Sequence, residues 1–306
     1  MDIIRHFRRP AALIAVSVMI ILSLFGCGQK AEEPIEAPKL FKQAVENCTS
    51  ANFASDITVS DKLIMQVTGS FDDSMNIKID TTFPGTVLQY PDLTVYFVPG
   101  EKAIYWISGE NVFRVQPDDV YDRIMAIPFT GKKYSFLDPD KMIIVNGKKP
   151  GKLLVSVFDA EYTGSSEDAG DELLLSLNDD TASRLCEFIL NIIRLTDPLK
   201  QVTSAQTDNL RQYIMKAIRA MKIYAVVDKD EGVFKTVRIE LADSLAAVAG
   251  PLKEYFPDMK LPKDLKIAIT FSDVGRVERM SFPSEVKSQA EDMLKYITQT
   301  LTQTKQ

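Results

Sequence analysis

The chain has 306 residues, 45% of them hydrophobic and 25% charged, and a formal net charge of -6. That size and apolar content support a sizeable folded core, and the acidic balance disfavours nucleic acid as a partner. The only histidine, His6, stands near the start of the chain.

Arg5, Arg8 and Arg9 precede Pro10, and the fifteen residues from Ala11 to Phe25 carry no charge. A transmembrane helix needs roughly 20 apolar residues, so a basic segment followed by this shorter run reads as a processed secretion signal, with an uncleaved anchor as the alternative. Leu24-Phe25-Gly26-Cys27 resembles the lipobox of bacterial lipoproteins. The resemblance implies that residues 1-26 are removed, that the Cys27 thiol takes a diacylglyceryl group, and that Cys27 becomes the new N-terminus. Acyl chains anchor at about 0.8 kcal/mol per buried methylene, so the mature protein is expected to be extracytoplasmic and tethered to a cell membrane without crossing it.

Cleavage removes Asp2 and three arginines, which moves the net charge to -8. It also removes His6, which excludes Ser-His-Asp triads, Cys-His dyads and histidine-bound zinc from the mature chain. Residues 27-38, including "GQKAEEPIEAP", are polar and acidic with two prolines and read as a flexible tether. The remainder, 39-306, reads as a single domain, since no repeat and no Pro/Gly-rich linker divides it.

Leu40, Phe41, Ala44, Val45 and Cys48 fall at helical spacing, which predicts a short amphipathic helix that starts after Pro38 and ends near Thr49. "FASDITVS", "KLIMQVTGSF", "MNIKIDTTF", "LTVYFVPG", "AIYWISG" and "NVFRVQP" then predict successive antiparallel strands, with turns at "PGEK" and "SGEN". A short helix over Asp118 to Ile127 and a loop "PFTGKKYSFLDPD" come next. Strands resume in "KMIIVNG", "KLLVSVFDAEYT" and "ELLLSL", with "GSSEDAGD" as a loop.

Two helices follow, one with the stripe Leu185, Phe188, Ile189, Ile192 and Ile193, the other with Leu210, Tyr213, Ile214, Ala217, Ile218 and Met221. A hairpin turning at Asp228 to Gly232 leads to a helix around Ser244 to Tyr255, interrupted by Pro251. The chain closes with a strand pair in "LKIAITFSDVGRVERMSF" and a helix capped by Ser284, with a stripe from Val286 to Leu301. The fold class is therefore α+β, with about a dozen strands in one long antiparallel sheet.

The order of the C-terminal part is strand, "DKDEG" turn, strand ending "RIELADS", helical insert, then "ITFSDVGRVERMSFP". It resembles the closing hairpin of the lipoprotein-carrier superfamily, the LolA, LolB and LppX/LprG-like proteins. The resemblance implies a curved antiparallel half-barrel with helices packed on its concave, open side and a hydrophobic cavity between them. It further implies an apolar ligand such as a lipid acyl chain, held without covalent chemistry and without a cofactor.

Candidate lining residues on the strands are Ile64, Val67, Ile77, Ile79, Tyr105, Trp106, Ile107 and Phe113, and on the helices Ile189, Ile193, Ile214 and Ile218. The alternative is that the same residues fill an ordinary core, which would make the protein a non-catalytic scaffold engaging envelope proteins through its acidic surface. Cys48 and Cys186 read either as a disulfide, which an extracytoplasmic setting allows, or as two buried thiols.

Three motifs have plainer explanations than chemistry. Ser284-Glu-Val-Lys287 matches the Ser-x-x-Lys of β-lactam-reactive enzymes without its companion motifs, and reads as a helix cap. Asp228-Lys-Asp230 begins like a calcium loop but lacks the distal glutamate, and reads as a hairpin turn. Asn47-Cys48-Thr49 fits a glycosylation sequon, which a bacterial lipoprotein does not use. No catalytic residues and no metal site are expected.

Overall fold

Alternation of apolar and polar residues with a period of two puts one side of each strand against a core, and here it does so across a single large sheet. The computed structural model describes residues 36-74, 76-84, 92-98, 103-115, 157-166, 170-196, 204-255 and 261-292. Helix α1 (Ala37–Asn47) precedes β1 (Ala51–Val59), β2 (Lys62–Phe71), β3 (Ile77–Thr82), β4 (Leu93–Val98), β5 (Ala103–Ser108) and β6 (Asn111–Val115). Then come β7 (Phe158–Ser166), β8 (Gly170–Leu177), α2 (Asp179–Thr196), α3 (Ser204–Ala220), β9 (Lys222–Val227) and β10 (Phe234–Glu240). The described part ends with α4 (Ala242–Tyr255), β11 (Leu265–Ser272), α5 (Ser284–Gln289) and β12 (Glu291–Asp292).

The twelve strands lie in the order β12-β6-β5-β4-β3-β2-β1-β11-β10-β9-β8-β7, an open sheet that is antiparallel except where β12 joins β6. It is built from two meanders, β1 to β6 and β7 to β11. They run outward in opposite directions from the junction of β1 with β11.

Cross-strand partners share a face, so the pairing registers sort the side chains into two sets. One face carries Phe53 and Ile57, Val67 and Phe71, Ile77 and Ile79, and Val95 and Phe97. It continues through Ile267, Ile239, Ile223 and Leu175 into the second meander. All of these are buried in one continuous apolar cluster, each contributing about 1.5-3 kcal/mol relative to exposure. The other face presents polar groups such as Asp56, Gln66, Lys78, Asp80 and Thr94.

Helix α1 lies against the apolar face of the second meander. It begins with Pro38 in its first turn, where a missing N–H costs nothing, and buries Ala37, Phe41, Ala44 and Val45. The Phe41 ring meets Phe158 edge-on and Phe234 at a tilt, both at 6.1 Å. At its other end, Asn47 Nδ2 donates to the carbonyl oxygens of Glu231 and Gly232 at 3.0 Å. Those carbonyls belong to the β9–β10 turn. Gly232 has φ +62° there, and a side chain at this position would meet Gln43 Nε2 at 2.7 Å.

Several boundaries differ from the sequence reading. "GSSEDAGD" is mostly strand, since β7 runs to Ser166 and β8 starts at Gly170. A register shift between Tyr162 and Gly164 takes up Thr163, and Gly164, Ser165 and Ser166 continue the pairing with β8. Helix α4 starts at Ala242 and runs through Pro251 to Tyr255 without interruption. The α2 stripe is rotated, with Ala182, Cys186 and Leu190 buried and Leu185 and Ile189 beside them.

The expected return strand over Arg276 to Phe282 is an irregular strap. Its physical reason lies in the topology: β11 already pairs with β1 on one side and β10 on the other, so no edge remains for a returning strand. Ser284 is the first residue of α5 and not its cap, a position taken by Pro283. That helix stops at Gln289, because Ala290 turns extended and the next two residues pair with β6.

The predicted helix at Asp118 to Ile127, the "PFTGKKYSFLDPD" loop, the "KMIIVNG" strand, the "PGEK" turn and the leader with Cys27 lie outside the described residues. So does the chain beyond residue 292. Among the described residues, no helix is long and apolar enough to cross a membrane.

Candidate functional site

The sheet residues singled out as cavity lining divide between its two faces. Val67, Ile77 and Ile79 are buried on the apolar face, and pairing of Trp106 with Val95 and Phe113 puts both aromatic residues there as well. Ile64 is the extra residue at the β1–β2 register shift and packs, half-buried, against the same cluster. Tyr105 and Ile107 flank Trp106 in β5 and therefore belong to the opposite face. "AIYWIS" is apolar on both sides, so its sequence does not reveal which residues point which way.

The helix candidates form a separate group. Ile214 and Ile218 on α3 pack with Cys186 and Leu190 on α2, with Ile189 half-buried at the margin. Leu177 at the end of β8 touches both this cluster and that of the sheet. Ile193 falls within α2, and its side chain lies outside the described residues. The sheet and helix candidates therefore line two adjoining clusters and not one common surface.

Arg211 and Glu187 tie α3 to α2. Arg211 Nε donates to Glu187 Oε1 at 2.7 Å and its Nη1 to Asp208 at 2.6 Å, with the Glu187 carboxylate buried. Cys186 sits beside this pair, and its thiol donates to the Arg211 carbonyl at 3.6 Å. Burial, helped by the nearby Glu187 carboxylate, pushes that thiol up to about 12. A thiol so placed is not a nucleophile at neutral pH. Cys48 and Cys186 are both buried as thiols, Cys48 in the sheet cluster and Cys186 in the helix cluster, which corrects the disulfide alternative.

The polar face carries a second feature, the strap. From the end of β11 it crosses β2, β3 and β4 toward β5: Val277 N donates to Ser50 Oγ at 3.1 Å, and Met280 N donates to Asp72 Oδ2 at 2.8 Å. The Phe282 ring then stacks at 4.4 Å from Tyr105 and meets Tyr96 edge-on at 5.4 Å. This is why Tyr105 is buried on a face that is otherwise polar. Between strap and sheet runs a groove of about 430 Å³ that includes Lys78, Tyr96, Glu278, Arg279 and Phe282 in its walls. Lys78 is held by Asp80 at 2.6 Å, so this groove presents charged and aromatic groups together and is unsuited to hydrocarbon alone.

Asp228 organises the β9–β10 turn, accepting from Asp230 N and Glu231 N at 2.8 Å and pairing with Lys235 at 2.8 Å. Its carboxylate is thus committed to a hairpin turn. Asn47 donates its amide to that turn, so a glycan there would break the docking of α1. Among the described residues no group of acids and cysteines has the arrangement of a metal site.

Two residues carry more weight than the sequence reading gave them. Ser55 lies two positions from Phe53 and from Ile57, so strand alternation alone puts its hydroxyl on the apolar face. Asp72 follows β2 in "FDDSMN", an Asp-x-Ser pattern with turn-forming chemistry, and is fully buried.

No protein-family model matches the chain, and no curated protein matches it.

Proposed function

We propose that the protein is a lipid-anchored, extracytoplasmic bacterial lipoprotein that holds a hydrophobic ligand against the apolar face of its sheet. The observation that supports this reading is that face itself, apolar without a charged interruption from β5 through β1 and β11 to β8 except for the buried Asp171 near the start of β8. In this reading the sheet curls into the half-barrel of the lipoprotein-carrier proteins. The register shifts at Ile57, Tyr162 and Phe234 favour such curling, since bulges bend and twist a strand.

The chemistry needed is reversible burial. Moving an acyl chain from a bilayer into an apolar cleft exchanges one hydrocarbon environment for another, so the gross gain of about 0.8 kcal/mol per methylene nearly cancels. Small differences in fit then set the direction of transfer, and no catalytic group is required. Anchoring at Cys27, with a tether that ends before α1 begins at Ala37, keeps the domain within reach of the membrane.

The near-complete burial of the apolar face also suits a filled core, in which case the protein is a scaffold for envelope proteins. Vesicle uptake separates the two. Protein expressed from residue 30 is incubated with phospholipid vesicles carrying a radiolabelled acyl lipid and then separated from them by gel filtration. The carrier reading expects label to elute with the protein in a saturable amount, and label that stays wholly with the vesicles contradicts it.

A further inference from the structure

The apolar face contains one hydroxyl that the fold leaves without an answer. Ser55 is 2% exposed, and its Oγ has no hydrogen-bond partner. Pairing sets it opposite Val67 on β2 and Ile269 on β11, with Phe53 and Ile57 beside it along β1. Its diagonal neighbours on β2 are Met65 and Gly69. Around the hydroxyl, then, nothing stronger than a methionine thioether is available, and the strand backbones on both sides are engaged in the ladder. A buried hydroxyl in such surroundings opposes folding, and alanine would fill the position without that cost.

We propose that Ser55 is the polar anchor of the ligand site, donating its hydroxyl proton to the carbonyl oxygen of an acyl ester whose hydrocarbon lies along the apolar face. This inference rests on the lipid-holding reading above and adds the class of ligand. A free carboxylate is disfavoured because none of the six flanking residues is cationic, and a buried anion needs a charged or multiply donating partner. An amide brings an N–H that would itself need an acceptor. An ester carbonyl needs one donor, which is what Ser55 supplies.

Trp106, the only tryptophan of the chain, lies on the same face and provides the signal. The full chain, purified from membranes, is titrated with a dibrominated stearoyl methyl ester and separately with dibrominated octadecane, both of which quench a tryptophan they approach. Wild type is expected to bind the ester about five- to tenfold more tightly than Ser55→Ala, the range conferred by one hydrogen bond, while both bind the hydrocarbon equally. Ser55→Ala replaces an unpartnered hydroxyl with hydrogen, so it is expected to melt at or above the wild-type temperature. Equal ester affinity in the two proteins overturns the anchor and leaves the lipid-holding reading standing. Absence of quenching by either probe in the wild type overturns both.

Discussion

Asp72 accepts four hydrogen bonds that join two segments far apart in the chain, and its removal has a calculable effect. Its Oδ1 accepts from Ser74 N and Asn76 N at 2.9 Å, closing the β2–β3 connection. Its Oδ2 accepts from Asn76 Nδ2 at 2.9 Å and from Met280 N at 2.8 Å, which pins the strap over 200 residues downstream. Hydrogen bonds to a charged acceptor contribute about 1.5-3 kcal/mol each, but they are not additive among neighbours. Ser74, Asn76 and Met280 are only half-buried, so water replaces part of what the carboxylate provided. Asp72→Ala should therefore lose about 2-4 kcal/mol, and Asp72→Asn, which keeps one acceptor oxygen, about half as much. Urea unfolding measures the loss, and hydrogen exchange at the Met280 amide reports whether the strap has come away. A loss within about 0.5 kcal/mol together with unchanged protection at Met280 would refute the reasoning.

Gly69 is fixed by close approach: a Cβ there would lie 2.3 Å from the Lys78 carbonyl oxygen and 2.4 Å from Phe53 Cζ. Since the carbonyl belongs to a paired strand, Gly69→Ala should cost about 1-3 kcal/mol, and an unchanged melting temperature would contradict that packing. At Asp228, Lys235 and then the N–H groups of Glu231 and Asp230 hold the carboxyl below the usual carboxylate range. A folded-state value below the unfolded one stabilises above the unfolded range and fades as pH falls through the folded value. The stability gap between wild type and Asp228→Asn should therefore narrow as pH drops below about 4, and a gap constant from neutral pH downward would exclude this role. Finally, titration of the mature protein with a thiol-reactive disulfide reagent should detect no thiol in the native state and two after denaturation, from Cys48 and Cys186. Three thiols would mean an unmodified Cys27, and none a disulfide.

Legibility followed the strength of local pattern. Strands such as "KLIMQVTGSF", with alternation along their length and turn residues at both ends, lie where the sequence reading put them. The reading failed where a segment's fate depends on which neighbours are free. "GRVERMSF" alternates like a strand, but β1 and β10 occupy both sides of β11, a fact of topology that no local pattern carries. The same limit applied to the candidate site. Val67, Ile77 and Ile79 were recognisable as core-facing by alternation. Tyr105, named with Trp106 as a lining residue, lies on the opposite face, where the strap residue Phe282, far along the chain, packs against it. Ser55 was passed over because a serine among apolar residues attracts no notice until its missing partner is known. Asp72 was missed because its importance comes from Met280, a contact with a sequence separation of 208.

The central claim is that the apolar face holds lipid, and native mass spectrometry of protein expressed from residue 30 and purified without detergent tests it most directly. The account predicts a population heavier than the bare chain by the mass of an acyl lipid, which organic extraction returns to the mass of the polypeptide alone. A single species at the polypeptide mass, unchanged after exposure to excess acyl lipid, would contradict it.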